Sequence, residues 1–319
     1  MLVLGLQGSP RRKGNTHFLL STFLSEAEKL GAATRMLEVD RMNIVPCKEY
    51  VVCEKRGYCP IEDDVRDEIY PLLREADLIV AGTPVFFYNM TAQLKAVIDR
   101  CQVFWSRKYR FHLRDPKHRV KQGILLSVAA TRGKKLFDAI HLSLQNFFDA
   151  VDARYSEHLT YRGIEGPKDM RAHPTVREDV RRLAEKVILP LMGRQRVLFV
   201  DQTGTGAGQM AAAVGEDRYG DRFEFAAAGF APADAPDPAV VDAMAGMGLD
   251  VAFRKPRSIE EVLATFAPDR CIFAGEVSGK PPEGLGAPET WRWDAGLSLN
   301  DLRDRVALKV DESFARVPE

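Results

Sequence analysis

The chain has 319 residues, ordinary hydrophobic content, and 45 acidic against 45 basic side chains. Zero net charge gives no electrostatic reason for a nucleic-acid or membrane partner, and no apolar run reaches the length of a membrane span. Five cysteines are an odd number for a disulfide framework, and the N-terminus reads as a strand, not a secretion signal, so we expect reduced thiols in the cytoplasm.

Taken in chain order, "LVLGLQG" reads as a strand, followed by the helix "THFLLSTFLSEAEKLG" with Phe18, Leu19, Phe23 and Leu24 on one face. Next come the strand "TRMLEVD", a cysteine-bearing loop, the helix "DDVRDEIYPLLREA" and the strand "DLIVAGTPVFF". The helix "MTAQLKAVIDRCQVFW", the strand "QGILLSVAA", and the helices "FDAIHLSLQNFFDAV" and "PTVREDVRRLAEKVILPLMG" complete this half. Alternation of this kind predicts an α/β fold with a parallel sheet covered on both faces, and ligands beyond the carboxyl ends of its strands. From "RQRVLFV" a second, smaller strand–helix alternation begins. We place the boundary at Gly193, giving domains 1–193 and 194–319. No internal repeat is apparent.

Three loops follow the predicted strands of the first half. In "GSPRRKGNT", Gly8 and Gly14 allow tight turns, Ser9, Asn15 and Thr16 offer donors, and Arg11, Arg12 and Lys13 add positive charge. The helix that follows turns its positive end to this loop, which lacks the Gly-Lys-Ser/Thr ending of a triphosphate loop and suits a single phosphate. In "GTPVFFYNM", Pro84, Val85, Phe86, Phe87, Tyr88 and Asn89 put aromatic rings and backbone amides at a strand end, where a planar ring could lie. A structural use of such rings, as core, is the competing reading. The third loop, "AATRG", carries Thr131 and Arg132.

On these motifs, with "PC…C…G-x-C-x-I-x-DD", residues 1 to about 190 resemble the flavodoxin-like NAD(P)H-dependent FMN reductases, and especially their iron–sulfur flavoprotein branch. The resemblance implies FMN, with its phosphate at Ser9–Thr16, its isoalloxazine against Pro84–Met90, and a further contact from Thr131 and Arg132. It also implies NAD(P)H as hydride donor and a small acceptor such as a flavin, a quinone or a metal. No catalytic side chain beyond the flavin is expected. The resemblance further implies a homodimer or tetramer.

Iron–sulfur members of that family carry C-x2-C-x2-C-x5-C, whereas this chain has Cys47, Tyr50, Cys53 and Cys59. A four-iron cluster normally takes four thiolates, and a phenolate is a harder and poorer ligand. A cluster on Cys47, Cys53 and Cys59 therefore needs a three-iron form, an external ligand, or Cys101. With it, the protein would be an electron carrier for ferredoxin-like partners; without it, the loop lids the flavin. Zinc on three thiolates is open too, although no histidine lies nearby in sequence. The basic segment "WSRKYRFHLRDPKHRVK" reads as a solvated connection or subunit contact, with Arg107, Lys108 or Arg110 as candidates for an NADPH phosphate.

The second half opens with "VLFVDQTGTGAGQMAAAVG". Gly204 and Gly206 begin a dinucleotide fingerprint that Gln209 breaks. The wider pattern resembles the low-molecular-weight tyrosine phosphatases and arsenate reductases over most of residues 195–319. That family's C-x5-R loop would place its nucleophile at Asp201 and its arginine at Ala207, so this domain is expected to be non-catalytic. Asp294 falls at the family's general-acid position without the proline that usually follows, and Cys271 reads as core.

Overall fold

The computed structural model describes residues 1–278 and 288–315. Two compact units divide them: Met1–His112 with Val120–Gly193, and Leu113–Arg119 with Arg194 onward. The short Leu113–Arg119 excursion was not legible in the sequence, where it reads as a connection. It is fixed by backbone pairing, Arg114 N–H donating to Gly248 at 2.9 Å and Asp250 N–H to Arg114 at 2.8 Å.

The first unit is built on strands β1 (Leu2–Gln7), β2 (Ala33–Glu38), β3 (Leu78–Pro84), β4 (Gln122–Ala129) and β5 (Arg154–Arg162). They lie in the order β2-β1-β3-β4-β5, and every pairing is parallel. This is the flavodoxin-like order, whose crevice opens where the chain leaves β1 and β3 in opposite directions. The helices are α1 (Asn15–Lys29), α2 (Val52–Arg56), α3 (Tyr70–Glu75), α4 (Ala92–Arg100), α5 (Gln102–Tyr109), α6 (Asp138–Ala150), α7 (Asp169–Ala172) and α8 (Val176–Met192). Strands β1, β3 and β4 are near-continuous runs of buried aliphatics, as a sheet covered on both faces requires. Against one face, Leu19, Leu20, Phe23, Leu24 and Ala27 of α1 pack with Val180, Val187 and Ile188 of α8.

Two elements differ from the sequence reading. Strand β5 was not anticipated because it is a mostly polar edge strand, "RYSEHLTYR", with little apolar signal. The helix expected across residues 90–105 is broken at Cys101. There the Tyr70 hydroxyl donates to the Arg100 carbonyl at 2.5 Å, and Phe104 N–H donates to the Cys101 carbonyl instead.

The second unit has β6 (Gln195–Asp201), β7 (Phe223–Gly229), β8 (Arg270–Ala274) and the short β9 (Glu289–Trp291) in the parallel order β7-β6-β8-β9. Its helices are α9 (Ala207–Tyr219), α10 (Pro238–Ala245), α11 (Ile259–Leu263) and α12 (Leu299–Phe314). The small residues of α9, Ala211 to Val214, are buried, so the Ala/Gly-rich tract is packed core. Among the described residues no helix is long and apolar enough to cross a membrane.

A fully buried ion pair anchors the cysteine loop of the first unit. Arg100, at the end of α4, meets Asp63 at 2.5 and 3.1 Å and also donates to the Val45 carbonyl at 2.7 Å. Asp63 in turn accepts from Val45 N–H at 2.9 Å, and Asp64 accepts from Asn43 N–H at 2.7 Å. Residues 43–45 and 63–64 are thus clamped together, with the cysteines strung between them. Burial alone would raise the Asp63 carboxyl, but the Arg100 guanidinium and the Val45 amide hold it below the usual carboxylate range. Asp63→Asn leaves a buried guanidinium without its counter-charge and should cost about 3–5 kcal/mol in thermal or urea unfolding. Because the folded value is depressed, the pair's contribution is present above the ordinary carboxylate value of about 4 and is lost as pH falls through the lowered one. The gap in Tm between wild type and variant should therefore hold from neutral pH to about 4 and narrow below it.

Candidate functional site

The loops after β1, β3 and β4 meet at the carboxyl end of the first sheet. Gly8 N–H donates to the Gly82 carbonyl at 2.7 Å, and Thr91 Oγ1 donates to the Gly8 carbonyl at 2.6 Å. A Cβ on Gly8 would lie 2.9 Å from both the Gly82 oxygen and Leu94 Cβ, so only glycine permits this approach. Thr91 also caps α4, and Val85 N–H donates to Val128 at 2.9 Å, tying the second loop to β4. Tyr88 reaches the third loop, its hydroxyl 3.3 Å from where a Cβ on Gly133 would stand.

In the first loop, Ser9 is buried and its Oγ accepts from Arg11 N–H at 3.2 Å. Helix α1 is capped by Gly14, which supplies no side chain to its first-turn amides. Thr16, also buried, stands in that turn. An uncapped helix start beside buried hydroxyls is a fitting receptor for one phosphate. Arg11 and Lys13 are exposed and make no ion pair among the described residues, while Arg12 stands 3.7 Å from Glu38. Asn15 is placed differently from the sequence expectation. Its amide nitrogen donates to the Gly166 carbonyl at 2.7 Å and its oxygen accepts from Met170 N–H at 3.2 Å. That side chain is spent on the turn after β5.

In the second loop, Phe86 and Asn89 exchange backbone hydrogen bonds at 2.8 and 2.9 Å, closing a two-residue turn. The two turn residues, Phe87 and Tyr88, have φ of 47° and 63°. Asparagine and glycine normally occupy such a turn, and bulky aromatics there carry strain of about 1 kcal/mol or more each. Phe87 is fully exposed and Phe86 and Tyr88 are half so, while Pro84, Val85 and Asn89 are partly buried beneath them. The Asn89 side chain is turned inward, accepting from Met90 N–H at 2.8 Å. Thr131 and Arg132 are exposed, with the Arg132 guanidinium beside Gly163. The aromatic rings are therefore surface and not core, held in a turn whose shape the sequence disfavours.

Cys47, Cys53 and Cys59 line one cavity of about 210 Å³, with Tyr50, Glu49 and Gln102 also on its wall. All three are free thiols. The loop is held in an unusual shape, with Glu49 and Val51 on either side of Tyr50 at φ of 54° and 58°; a left-handed β-branched residue is a rare conformation. Burial, with Cys59 and Cys47 alongside, pushes the Cys53 thiol up despite hydrogen bonding that opposes the shift. Cys101 lies in the core and is not on the cavity wall; burial pushes its thiol up as well. The expectation that it could supply a fourth ligand is not met. Among the described residues no three His, Cys, Asp or Glu side chains stand ready to hold a metal ion. The residues present offer three thiols to the cavity and so do not fit a four-thiolate cluster.

The three basic residues considered for a nicotinamide phosphate are otherwise engaged. Arg107 is buried and donates to the Gly57 carbonyl at 3.0 Å, Lys108 pairs with Asp149 and Asp152, and Arg110 pairs with Glu54 at 2.7 Å. In the second unit, Asp294 is exposed and paired with Arg305 at 2.6 Å, and Cys271 is core, its thiol pushed up to about 11 by burial. Thr91, Asp63 and Arg100 escaped the sequence reading as organisers of the site. The T-x-x-L start of α4 carries a capping signal that could have found Thr91.

The family of NADPH-dependent FMN reductases matches residues 1–160, half of the chain. An iron–sulfur flavoprotein of Archaeoglobus fulgidus is 32% identical over 197 residues, covering 58% of this chain and 96% of that protein. One of Methanosarcina thermophila is 30% identical over 201 residues, covering 61% and 99% respectively. One of Methanocaldococcus jannaschii is 37% identical over 150 residues, covering 46% and 72%. With three loops converging at the ligand end of a flavodoxin-ordered sheet, the chain belongs to the NADPH-dependent FMN reductase family and is an FMN-containing oxidoreductase.

Proposed function

We propose that the first unit binds FMN with its phosphate over the Ser9–Thr16 loop and its ring system against the Pro84–Asn89 turn and Thr131–Arg132, and passes electrons from NAD(P)H to a small acceptor such as a flavin, a quinone or a metal. The observation that carries this reading is the Phe87–Tyr88 turn. Exposed aromatic side chains on a strained backbone, at a sheet's ligand end, are an expense that function explains and folding does not. The flavin, when bound, supplies the redox chemistry, accepting hydride from the nicotinamide at N5. The chain's own residues bind and orient. The open α1 amides and the Ser9 and Thr16 hydroxyls take the phosphate, Gly8 lets the backbone come close, and the turn after β3 presents its rings and amides to the flavin plane.

A second reading is favoured by one observation, the three thiols on a single cavity beside α5: an electron carrier with an iron–sulfur centre at Cys47, Cys53 and Cys59. The three similar proteins named above are iron–sulfur flavoproteins. With three thiols in place of four, we favour the flavin-only oxidoreductase. For the second unit we propose a phosphatase-like fold without catalysis, Asp201 and Ala207 standing where that chemistry needs a thiolate and a guanidinium. We also propose that the protein works as a homodimer or tetramer, as resemblance to the reductase family implies.

Phe87→Asn combined with Tyr88→Gly relieves the turn while removing its rings. The flavin-free variant should be more stable than wild type by about 1 kcal/mol, measured by urea unfolding. Its FMN affinity, followed by flavin fluorescence, should fall at least tenfold. Unchanged FMN affinity would place the flavin elsewhere. Anaerobically purified wild type should show a flavin absorption spectrum with less than one iron per FMN. Stoichiometric iron and sulfide would move the electron-carrier reading into first place.

A further inference from the structure

The loop between β6 and α9 has the form of an oxyanion receptor, yet it already contains an anion. Asp201, the last residue of β6, is buried, and its carboxylate accepts four backbone N–H groups. Oδ1 takes those of Thr203 and Gly204 at 2.9 and 2.6 Å; Oδ2 takes those of Gly206 and Gly208 at 3.0 and 2.9 Å. The glycines are shaped to it. Gly204 is at φ +70°, and a Cβ on Gly206 or Gly208 would stand 3.3 or 3.0 Å from Oδ2. The carboxylate also sits at the start of α9, whose cap, Gly206, contributes no side chain of its own.

A first-unit counterpart makes the comparison within one chain. Helix α1 likewise follows a glycine cap without a side chain, but there no carboxylate reaches back into the turn. One loop leaves its amides for a ligand; the other has them filled. Four of the amides that could hold the oxygens of a phosphate in the second loop are occupied by Asp201. An incoming oxyanion would have to strip a buried carboxylate of four charge-assisted hydrogen bonds and then lie against its charge.

We propose that Asp201 is a built-in anion that closes the oxyanion cradle of the second unit, holding the loop in its liganded shape without a ligand and keeping phosphate and arsenate out. Asp201 is thus a permanent occupant that keeps the glycine-rich loop ordered; on the phosphatase-like reading proposed for this unit, it also stands in the nucleophile's place. The proposal goes beyond the flavin reading of the first unit and does not depend on it.

The test uses the full-length chain in phosphate and in chloride at matched ionic strength. Wild type, saturated with FMN so that the first unit's phosphate loop is filled, should gain from phosphate only the general stabilisation that an excluded salt gives any fold, and the variants are read against that gain. Asp201→Gly should melt lower in chloride and recover in phosphate, with apparent phosphate affinity at least tenfold tighter than wild type. Asp201→Asn keeps a side chain in the cradle but turns an NH2 toward the amides, so it should melt lower without being rescued. A folded Asp201→Gly protein indifferent to phosphate overturns the proposal, as does rescue of Asp201→Asn equal to that of Asp201→Gly. Should Asp201→Gly fold in neither salt, the wild-type amide signals of Gly204, Gly206 and Gly208 decide in a phosphate titration. Unmoved signals uphold the built-in anion, and a saturable shift overturns it.

Discussion

Helix α4 is fastened at both ends, and those two fastenings organise the first unit's chemistry. At its start, Thr91 caps the helix and donates to the Gly8 carbonyl, joining the phosphate-type loop to the aromatic turn. At its end, Arg100 is buried against Asp63 and holds the base of the cysteine loop. Nine residues of helix span about 14 Å, so α4 is a short rigid strut between a candidate flavin site and a thiol cavity. A surface ion pair would be too weak to set that spacing. A fully desolvated pair that also satisfies the Val45 carbonyl and amide cannot be exchanged for water without leaving a buried charge behind. The strut fastens the bases of two loops with unfavourable backbone conformations, at Glu49 and Val51 and at Phe87 and Tyr88.

Both units use the same device, a glycine-capped helix after a central parallel strand, and put it to opposite ends. In the first, small residues and hydroxyls leave the helix start open to solvent and to ligand. In the second, one carboxylate two residues before the turn takes the amides of Thr203, Gly204, Gly206 and Gly208. The Asp201 carboxylate is the difference that bears on anions: the second loop carries one within the chain, and the first does not. The second sheet has a packed core of aromatic rings, with Phe225 and Phe314 each in contact with the other and with both Phe199 and Phe223.

Much of the architecture was legible because its strands are strongly apolar and its helices amphipathic. β1, β3, β4 and β6 could be read directly from runs such as "LIVAG" and "RVLFV". β5 could not, since an edge strand with charged and hydroxyl residues looks like a loop. The break at Cys101 depends on a hydroxyl from Tyr70, a contact of thirty residues' separation that no local propensity encodes. The positions of the three loops followed from strand order, but what their side chains do followed only partly. Asn15 has the right chemistry for a phosphate and spends it on Gly166 and Met170. Arg107, Lys108 and Arg110 have the right charge and are bound within their own unit. Nothing in "VFFYN" predicts a left-handed aromatic pair, because the sequence preference runs against it. The glycines of "DQTGTGAG" announce an anion, and only the three-dimensional loop identifies the anion as Asp201.

The central claim is that three loops of one sheet, after β1, β3 and β4, form a single flavin site. Amide hydrogen exchange on the flavin-free chain, with and without added FMN, tests it most directly. The account predicts slowed exchange together in residues 9–17, 85–91 and 130–133, with residues 201–208 unchanged. Protection confined to the second unit, or none in the first-unit loops at saturating FMN, would contradict it.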